Sequence, residues 1–286
     1  MSLLETSFPE PLTTVRVLEY RDHSLFTKMD YVATEEPLEI RVIHGSYDAP
    51  VTSKVALSMR TPGNDFELAL GFLYSEGVIR SRDDVERVSY CTDPNEPQRF
   101  NIVNVRLKAG VKFDPSNLSR NVFTSSACGV CGKATLENLK TVCPTKPLGE
   151  ITLNPSFITS LSEKLKLSQR FFLRTGGVHA SALFEQDGSL LLIREDVGRH
   201  NAMDKLIGSL LLEKKLPASN KLVMVSGRAS FELVQKAILA GIPVLVAVGA
   251  PSSLAVELAQ EYNLTLIGFL RDDKFNVYSG FERIAQ

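Results

Sequence analysis

The strongest indication of the fold lies in residues 222–248, which are Leu222-Val-Met-Val-Ser-Gly-Arg-Ala-Ser-Phe-Glu-Leu-Val-Gln-Lys-Ala-Ile-Leu-Ala-Gly-Ile-Pro-Val-Leu-Val-Ala-Val248. Two short apolar runs, at 222–225 and 244–248, flank a segment at 231–240 whose apolar residues recur at helical spacing. Short apolar runs rich in β-branched residues are typical of strands buried on both faces of a parallel sheet. The stretch therefore predicts a strand–helix–strand unit of an α/β fold.

The same alternation continues on both sides of this unit. Helical spacing recurs at 201–212 and 254–262, and a third apolar run occupies 264–269. Upstream, apolar runs at 178–184 and 190–193 are separated by an Asp-Gly turn, which predicts a β-hairpin. We therefore expect a layered α/β domain in the C-terminal half of the chain.

The first third of the chain has a different pattern. A helix is predicted at 65–74, where apolar residues recur at helical spacing and Asn64 is a suitable N-cap. Elsewhere polar and apolar residues alternate with a period near two, which is typical of half-buried strands. These predicted strands occupy 12–20, 38–43, 55–59 and 100–107. We expect a smaller, mainly β, α+β domain.

We divide the chain into three parts. The N-terminal α+β domain covers 1–125, a loop and helix that carry two cysteines cover 126–149, and the C-terminal α/β domain covers 150–286. The domain boundary itself falls somewhere between about 108 and about 150, since boundaries are the least determined feature of a sequence pattern. Internal repeats and low-complexity tracts are absent from the sequence.

Composition argues against several classes of partner. The 32 Lys and Arg residues nearly balance the 33 Asp and Glu residues, so no overall field attracts nucleic acid or an anionic membrane. The apolar runs are shorter than the ~20 residues that cross a bilayer, and the N-terminus lacks the basic and apolar regions of a secretory signal. Four cysteines are too few for a disulfide framework and are typical of a reducing compartment. We expect a cytoplasmic protein with free thiols, and neither a nucleic-acid nor a membrane partner.

Two of the cysteines form a Cys-x-x-Cys motif, Ser125-Ser-Ala-Cys128-Gly-Val-Cys131-Gly-Lys133. The spacing permits half of a zinc site, a redox dithiol, a nucleophilic sulfur carrier, or two buried structural cysteines. A zinc site usually needs a second closely spaced ligand pair, which the sequence lacks, and a thioredoxin-type dithiol follows a strand rather than a polar, turn-rich stretch such as 114–126. A loop at the start of a helix, near Lys133, suits a stabilised thiolate or persulfide. The motif by itself leaves all four interpretations open.

More specific motifs are distributed along nearly the whole chain. They are Met59-Arg-Thr-Pro-Gly63, Gly71-Phe-Leu-Tyr-Ser-Glu-Gly77, Ser126-Ala-Cys-Gly-Val-Cys-Gly-Lys133, Thr175-Gly-Gly-Val-His-Ala180, Arg194-Glu-Asp-Val-Gly-Arg-His-Asn-Ala-Met-Asp-Lys205, Ser226-Gly-Arg-Ala-Ser-Phe-Glu-Leu-Val-Gln-Lys236 and Ala250-Pro-Ser-Ser-Leu-Ala-Val-Glu257. Together they strongly resemble the formate dehydrogenase accessory sulfurtransferase family. Ala127, before the first cysteine, is a local departure whose small side chain should not affect the chemistry.

The resemblance implies a sulfur carrier protein, acting as a sulfurtransferase through a cysteine persulfide. In this family sulfur comes from a cysteine desulfurase and passes to molybdenum bis(molybdopterin guanine dinucleotide), or its tungsten counterpart, before this pterin cofactor is inserted into formate dehydrogenase. By the resemblance, Cys128 carries the persulfide and Cys131 assists or relays it. The resemblance also implies a cytidine-deaminase-like, three-layer C-terminal domain without a tightly held metal ion. The alternative function is a metal-free, cofactor-binding chaperone whose cysteines only clamp the cofactor.

The phosphates of such a cofactor are expected where a strand ends and a helix begins, because free backbone N–H groups are available there. Three junctions of this kind occur in the predicted C-terminal domain. An ordinary capped helix is the alternative at each one, but two arginines close to them favour an anion site. The candidate residues at the junctions are Arg199, His200, Ser226, Gly227, Arg228 and Ser252.

The segment after the last predicted parallel strand matches the family position that binds the nucleotide cofactor. Its residues are Phe269, Leu270, Arg271, Asp272, Asp273 and Lys274. Arg271 and Lys274 are suited to phosphate, and Asp272 or Asp273 to the donor edge of guanine. Without the resemblance, a solvated polar turn would be the preferred interpretation.

Some smaller features are also assigned. His200 and Asp204 lie four residues apart on a predicted helix, which indicates a local hydrogen bond rather than a metal pair. His179 either lines the cleft or is an interior histidine, and Cys91 and Cys143 are expected to be structural. A homodimer is expected because most soluble oligomers are symmetric dimers.

Overall fold

A computed structural model of the chain describes residues 8–115, 147 and 151–285. Its strands are β1 (Leu12–Arg21), β2 (Ser24–Ala33), β3 (Glu36–Gly45), β4 (Pro50–Arg60), β5 (Val85–Tyr90), β6 (Ile102–Leu107), β7 (His179–Phe184), β8 (Leu190–Asp196), β9 (Leu222–Val225), β10 (Val244–Ala247), β11 (Thr265–Gly268) and β12 (Asn276–Ser279). Its helices are α1 (Asp65–Ser75), α2 (Pro155–Ser168), α3 (Phe172–Thr175), α4 (Arg199–Leu212), α5 (Phe231–Leu239) and α6 (Ser253–Glu261). Within these ranges, no helix is both long and apolar enough to cross a bilayer.

The C-terminal part is built on a six-stranded sheet with the order β12-β11-β10-β9-β7-β8. The central strands β9, β10 and β11 are parallel, so their carboxyl ends meet at one edge of the sheet. The outer pairs β7–β9, β7–β8 and β11–β12 are antiparallel. The parallel centre requires the helical crossovers that the spacing of apolar residues predicts.

Helices cover both faces of this sheet. Val223 and Leu245 point to one face and join a core with apolar residues of α4, α5 and α6. Met224 and Val246 point to the other face and join a core that includes Ile158 of α2. The alternation follows from the two-residue period of a strand, and it confirms the three-layer α/β arrangement of the C-terminal domain.

The N-terminal part has a four-stranded sheet with the order β4-β3-β6-β5. Apolar residues on one face of this sheet, such as Ile40 and Val103, are fully buried against Leu70 and Leu73 of α1. β1 and β2 form a separate antiparallel hairpin. This part is mainly β, as the alternating pattern predicts.

Most of the predicted strands and helices are confirmed, but several elements of the structure were not predicted. The strand at 222–225 and the helices that become α1, α4, α5 and α6 lie where they were expected. β2, β5, β12, α2 and α3 were not predicted. The signals for α2 were nevertheless present, because Asn154 caps the helix by accepting a hydrogen bond from the Ser156 N–H (3.0 Å) and Pro155 is its first residue.

The two parts of the molecule are joined by direct backbone contact between α1 and α4. A Cβ atom on Gly71 would lie 1.8 Å from the carbonyl oxygen of Asp204, and one on Gly208 would lie 1.8 Å from the carbonyl oxygen of Glu67. Both distances are far below any real contact. Only glycine at these two positions allows the helices to approach so closely.

Buried ion pairs surround this helix contact. Lys205 Nζ lies 2.7 Å from Asp196 Oδ2, and both side chains are almost fully buried. Lys205 also donates to the carbonyl oxygen of Thr61, and Asp196 accepts from the Thr61 N–H, so the pair holds the end of β4 against α4 and β8. Lys236 of α5 lies 2.6 Å from Asp204 in the same buried region. Both ion pairs lie within the C-terminal part, and the Thr61 backbone ties the N-terminal part to the first of them.

We predict that Gly71→Ala strongly destabilises the fold. In an exposed helix this change would stabilise by about 1 kcal/mol, but here the added methyl group meets the α4 backbone, and we expect a net loss of at least about 2 kcal/mol. The measurement is the free energy of unfolding from chemical denaturation. The control is Gly177→Ala, whose Cβ would have its nearest neighbour at 3.7 Å. Equal stability of the two variants would contradict the role of Gly71.

We also predict that Lys205→Met costs about 3–5 kcal/mol of stability, because it leaves the Asp196 carboxylate buried without its cation. The matched control is Lys214→Met. Lys214 pairs with Asp83 at a distance of 2.8 Å, but both side chains are mostly exposed, so its loss should have only a small effect on stability. Similar thermal unfolding midpoints for the two variants would show that burial of the Lys205 pair has no energetic importance.

Candidate functional site

The loops that follow β9, β10 and β11 form one continuous surface at the carboxyl edge of the sheet. The Gly249 N–H donates to the Gly227 carbonyl oxygen at 2.9 Å, and the Phe269 N–H donates to the Gly249 carbonyl oxygen at 3.1 Å. The Ala229 N–H donates to the Ala250 carbonyl oxygen at 3.2 Å. We call this region the strand-end surface. It contains the loops at 226–230, 248–252 and 269–274.

Gly249 and Gly268 lie where these loops touch, and a larger side chain at either position would be crowded by the neighbouring loop. A Cβ atom on Gly249 would lie 3.0 Å from Arg228 Cα, and one on Gly268 would lie 2.9 Å from Pro251 Cδ. The loops can therefore approach each other backbone to backbone, which brings their polar groups close together. Such a junction of parallel strand ends is the usual position of a ligand site in an α/β sheet.

Positively charged side chains surround the strand-end surface. Arg199 is the first residue of α4, and its Nε is buried without a hydrogen-bond partner among the residues that the structure describes. Arg228 and Lys274 are exposed, and Arg271 donates to the Val248 carbonyl oxygen at 2.9 Å. A buried guanidinium nitrogen without a partner is costly unless a ligand supplies an acceptor. The surface is thus suited to an anion.

His200 and Asp204 have separate partners, so the predicted hydrogen bond between them is wrong. His200 Nε2 lies 2.8 Å from Glu232 Oε2 and 3.2 Å from Ser230 Oγ. The hydrogen bond from His200 is the main reason that the pKa of Glu232 is lowered. Asp204 accepts instead from Ser75 and Lys236, because its side chain points towards α1 and α5.

The segment at 269–274 is a tight turn in which one side chain is buried and the others are partly or fully exposed. Phe269 has a left-handed backbone (φ 53°) and an exposed ring, while the Arg271 N–H closes the turn on the Lys274 carbonyl oxygen at 2.8 Å. Asp272 is exposed, as are Asp273 and Lys274. Leu270, in contrast, is fully buried in the core beneath the sheet, so only its backbone can face a ligand.

The two candidate serines already take part in local structure. Ser252 is the N-cap of α6 and accepts from the Ala255 N–H at 3.3 Å. Ser226 Oγ accepts from the Ala180 N–H at 2.9 Å, which links β7 to the end of β9. Each hydroxyl still has its own proton to donate. Both serines can therefore contribute to binding without losing these bonds.

A cavity of about 490 Å³ adjoins the strand-end surface. It lies between the end of α2, the loop that leads into β7, and the ends of β9 and β10. Polar and aromatic side chains that line it include Lys166, Gln169, Phe172, His179 and Ser226. We call it the α2 pocket. Of these residues, Ser226 was a predicted ligand contact, and His179 was predicted either to line the cleft or to be an interior histidine.

His179 lies at the boundary between the α2 pocket and the strand-end surface. A Cβ atom on Gly227 would lie 3.4 Å from its Nδ1 and 3.8 Å from the Arg199 side chain. Burial, followed by the charges of Arg199 and His200, lowers the pKa of His179 below its ordinary value. The ring is therefore neutral at pH 7 and can donate and accept one hydrogen bond each. Of the two interpretations left open for His179, the structure supports lining of the cleft.

The thiol pair cannot be placed by this geometry. Cys128, Cys131 and Cys143 lie outside the described residues, and Cys91 is a buried free thiol. Within the described ranges, no cluster of three or more His, Cys, Asp or Glu side chains could hold a metal ion. The zinc interpretation of Cys128 and Cys131 stays a prediction that these residues do not address.

Comparison with known proteins extends the resemblance found in the motifs. A model of the FdhD/NarQ family matches residues 33–285. A sulfur carrier protein FdhD from Streptomyces coelicolor is 48% identical over 274 residues and covers 94% of each chain. One from Sulfurisphaera tokodaii is 48% identical over 271 residues and covers 94% of this chain and 98% of its own.

The crystal structure of a protein assigned as a formate dehydrogenase accessory protein from Desulfotalea psychrophila has the same fold, with a TM-score of 0.71 and 25% sequence identity. The superposition covers 96% of this chain and 99% of that one. The family model spans most of the chain, and relatives share nearly half of its residues over 94% of its length. The chain therefore belongs to the FdhD/NarQ family, and it has the general role of a sulfur carrier.

Proposed function

We propose that this chain is a sulfurtransferase that receives sulfur from a cysteine desulfurase as a persulfide on Cys128. The acceptor is molybdenum bis(molybdopterin guanine dinucleotide) or its tungsten counterpart, and formate dehydrogenase is the enzyme that receives the product. The observation that carries the proposal is the strand-end surface with its unpaired Arg199 nitrogen, in a chain whose curated relatives are named sulfur carriers. The reaction would take place in the cytoplasm, and a homodimer stays a prediction.

The proposed site of the nucleotide phosphates is the strand-end surface. Arg199, Arg228, Arg271 and Lys274 supply positive charge, and backbone N–H groups at the starts of α4, α5 and α6 add a favourable dipole. The turn at 269–274 adds exposed carboxylates, which are suited to donor groups rather than to phosphate. This distribution of charge supports an anionic ligand that also has hydrogen-bond donors, as a guanine dinucleotide does.

The proposed sulfur transfer uses only thiols and a persulfide. The Cys128 thiolate attacks the outer sulfur of the desulfurase persulfide, and the desulfurase thiolate leaves. The Cys131 thiolate then attacks the inner sulfur of the Cys128 persulfide, which releases the outer sulfur as sulfide to the bound cofactor. The two thiols are oxidised to a Cys128–Cys131 disulfide, and these electrons reduce the transferred sulfur. A dithiol reductant must restore the pair before another cycle.

The second candidate function is that of a metal-free chaperone for the cofactor. It is favoured by the same strand-end cations, because binding the cofactor does not by itself require a reactive thiol. In this case Cys128 and Cys131 only clamp the ligand. The two functions differ in whether sulfur is ever covalently bound to the chain.

We predict that incubation with a cysteine desulfurase and cysteine adds the mass of one sulfur atom to the intact protein. The added mass should be absent from Cys128→Ala, because the nucleophile is lost, and present in the matched control Cys143→Ala. Intact-mass spectrometry under non-reducing conditions measures both. An unmodified wild-type protein, or equal modification of both variants, would refute the assignment of Cys128.

The activity of formate dehydrogenase in cells that carry cysteine variants of this chain also distinguishes the two functions. The sulfur-carrier function requires that a Cys128→Ala chain fails to support the enzyme. Normal formate dehydrogenase activity with Cys128→Ala or Cys131→Ala in place of the wild type would favour the chaperone.

We predict that Arg199→Gln and Arg228→Gln each weaken binding of GDP about tenfold to a hundredfold, because each removes a charged donor from the phosphates. Isothermal titration calorimetry provides the dissociation constants. Arg87→Gln is the matched control, because Arg87 is an exposed arginine on β5, outside the strand-end surface. Unchanged GDP affinity in both site variants would exclude the strand-end surface as the phosphate site.

A further inference from the structure

The α2 pocket adjoins the strand-end surface and shares Ser226 and Val248 with it. Ser226 and His179 belong to its wall, while Gly227 and Arg199 lie just beyond them. Its volume of about 490 Å³ is within the usual range for pockets that hold small ligands. A ligand whose phosphates lie on the strand-end surface could therefore extend into it.

The α2 pocket is lined by hydrogen-bond donors and apolar side chains. None of its lining residues within the described part of the chain is acidic. The polar groups are Ser162, Lys166, Gln169, His179 and Ser226, and most of these can donate hydrogen bonds. Apolar side chains such as Leu165 and Val248 supply the remaining wall. The pocket is thus suited to an apolar body that carries hydrogen-bond acceptors.

Gln169 is the feature that points to a ligand. It is 4% exposed, and its Nε2 has no hydrogen-bond partner in the described part of the chain. Leaving a buried amide donor unpaired costs about 1–3 kcal/mol, so a folded protein rarely retains one without a reason. A side-chain amide has a donor and an acceptor next to each other, and this pair matches the C=O and N–H of a cyclic lactam.

Phe172 indicates that the ligand is flat. Phe172 lines the pocket, and the residue is 38% exposed. Its backbone is held in place because the Glu195 carboxylate accepts from the Phe171 N–H at 3.0 Å and from the Phe172 N–H at 2.9 Å. Aromatic rings stack favourably on planar heterocycles. A partly exposed aromatic residue and an unpaired amide that line the same pocket suit a planar lactam.

We propose that the α2 pocket binds a fused bicyclic lactam, with the Gln169 amide paired to the lactam and the Phe172 ring stacked on it. Guanine and pterin share this chemistry, and both occur in the cofactor of the proposed function, on which this inference rests. It assigns recognition of the ring that enters the α2 pocket to Gln169 and Phe172. The phosphates would remain on the strand-end surface.

The test measures calorimetric affinities of the full chain for GDP, pterin-6-carboxylate and pyrophosphate. Gln169→Leu and Phe172→Ala should each weaken a ring ligand about tenfold while leaving pyrophosphate unchanged. Leu173→Ala is the matched control, because Leu173 neighbours Phe172 but is exposed and does not line the pocket. A loss confined to GDP assigns the pocket to guanine, and a loss for pterin-6-carboxylate assigns it to the pterin.

The thermal stability of the ligand-free variant shows whether Gln169 serves ligand recognition or has a structural role. Removal of an unpaired buried amide should leave the thermal unfolding midpoint of ligand-free Gln169→Leu unchanged or raised, whereas a structural side chain would lower it. Ring-ligand affinity that is unaffected in both Gln169→Leu and Phe172→Ala, or no binding of either ring compound, overturns the inference. Loss of pyrophosphate binding in Arg228→Gln, alongside unchanged ring-ligand affinity in both Gln169→Leu and Phe172→Ala, would leave the proposed phosphate site intact and remove only this inference.

Discussion

The contact between α1 and α4 is the constraint on which the arrangement of the site depends. Gly71 and Gly208 let each helix backbone touch the other, so the N-terminal sheet and the C-terminal sheet are held at a fixed separation. α4 is also the helix whose first residues are Arg199 and His200. The same helix therefore joins the two parts of the molecule and presents a cation to the strand-end surface.

Two buried carboxylates, those of Asp204 and Asp196, reinforce this contact through hydrogen bonds and ion pairs to neighbouring elements. Asp204 accepts from Ser75 of α1 at 3.0 Å and from Lys236 of α5 at 2.6 Å, so a single side chain links three helices. Asp196 links the end of β8 to Thr61 and Lys205. Apolar residues could fill the same space, but they would not specify one relative position. Because unpaired charges are so costly in the interior, these pairs favour a single register between the two parts.

The candidate site divides into two environments. The strand-end surface is positively charged and built from glycine-rich loops, whereas the α2 pocket combines apolar walls with donor groups. His179 lies between them, and the lowered pKa of its ring keeps it neutral at pH 7. A charged imidazole would add to the repulsion among Arg199 and its neighbours, so neutrality allows these groups to crowd together without a ligand present.

The sequence by itself determined the order of strands and helices from 178 to 269, because strands buried on both faces need short apolar runs and helices packed on one side need an apolar period of 3.6 residues. It also placed the candidate loops at strand ends, and its motifs selected Cys128 and Cys131. Only the tertiary structure decided that Leu270 turns into the core, that His200 pairs with Glu232, and that Gln169 and Phe172 meet His179 in one pocket. Such contacts depend on how separate elements pack and on which way a side chain points, and neither has a periodic signature along the chain.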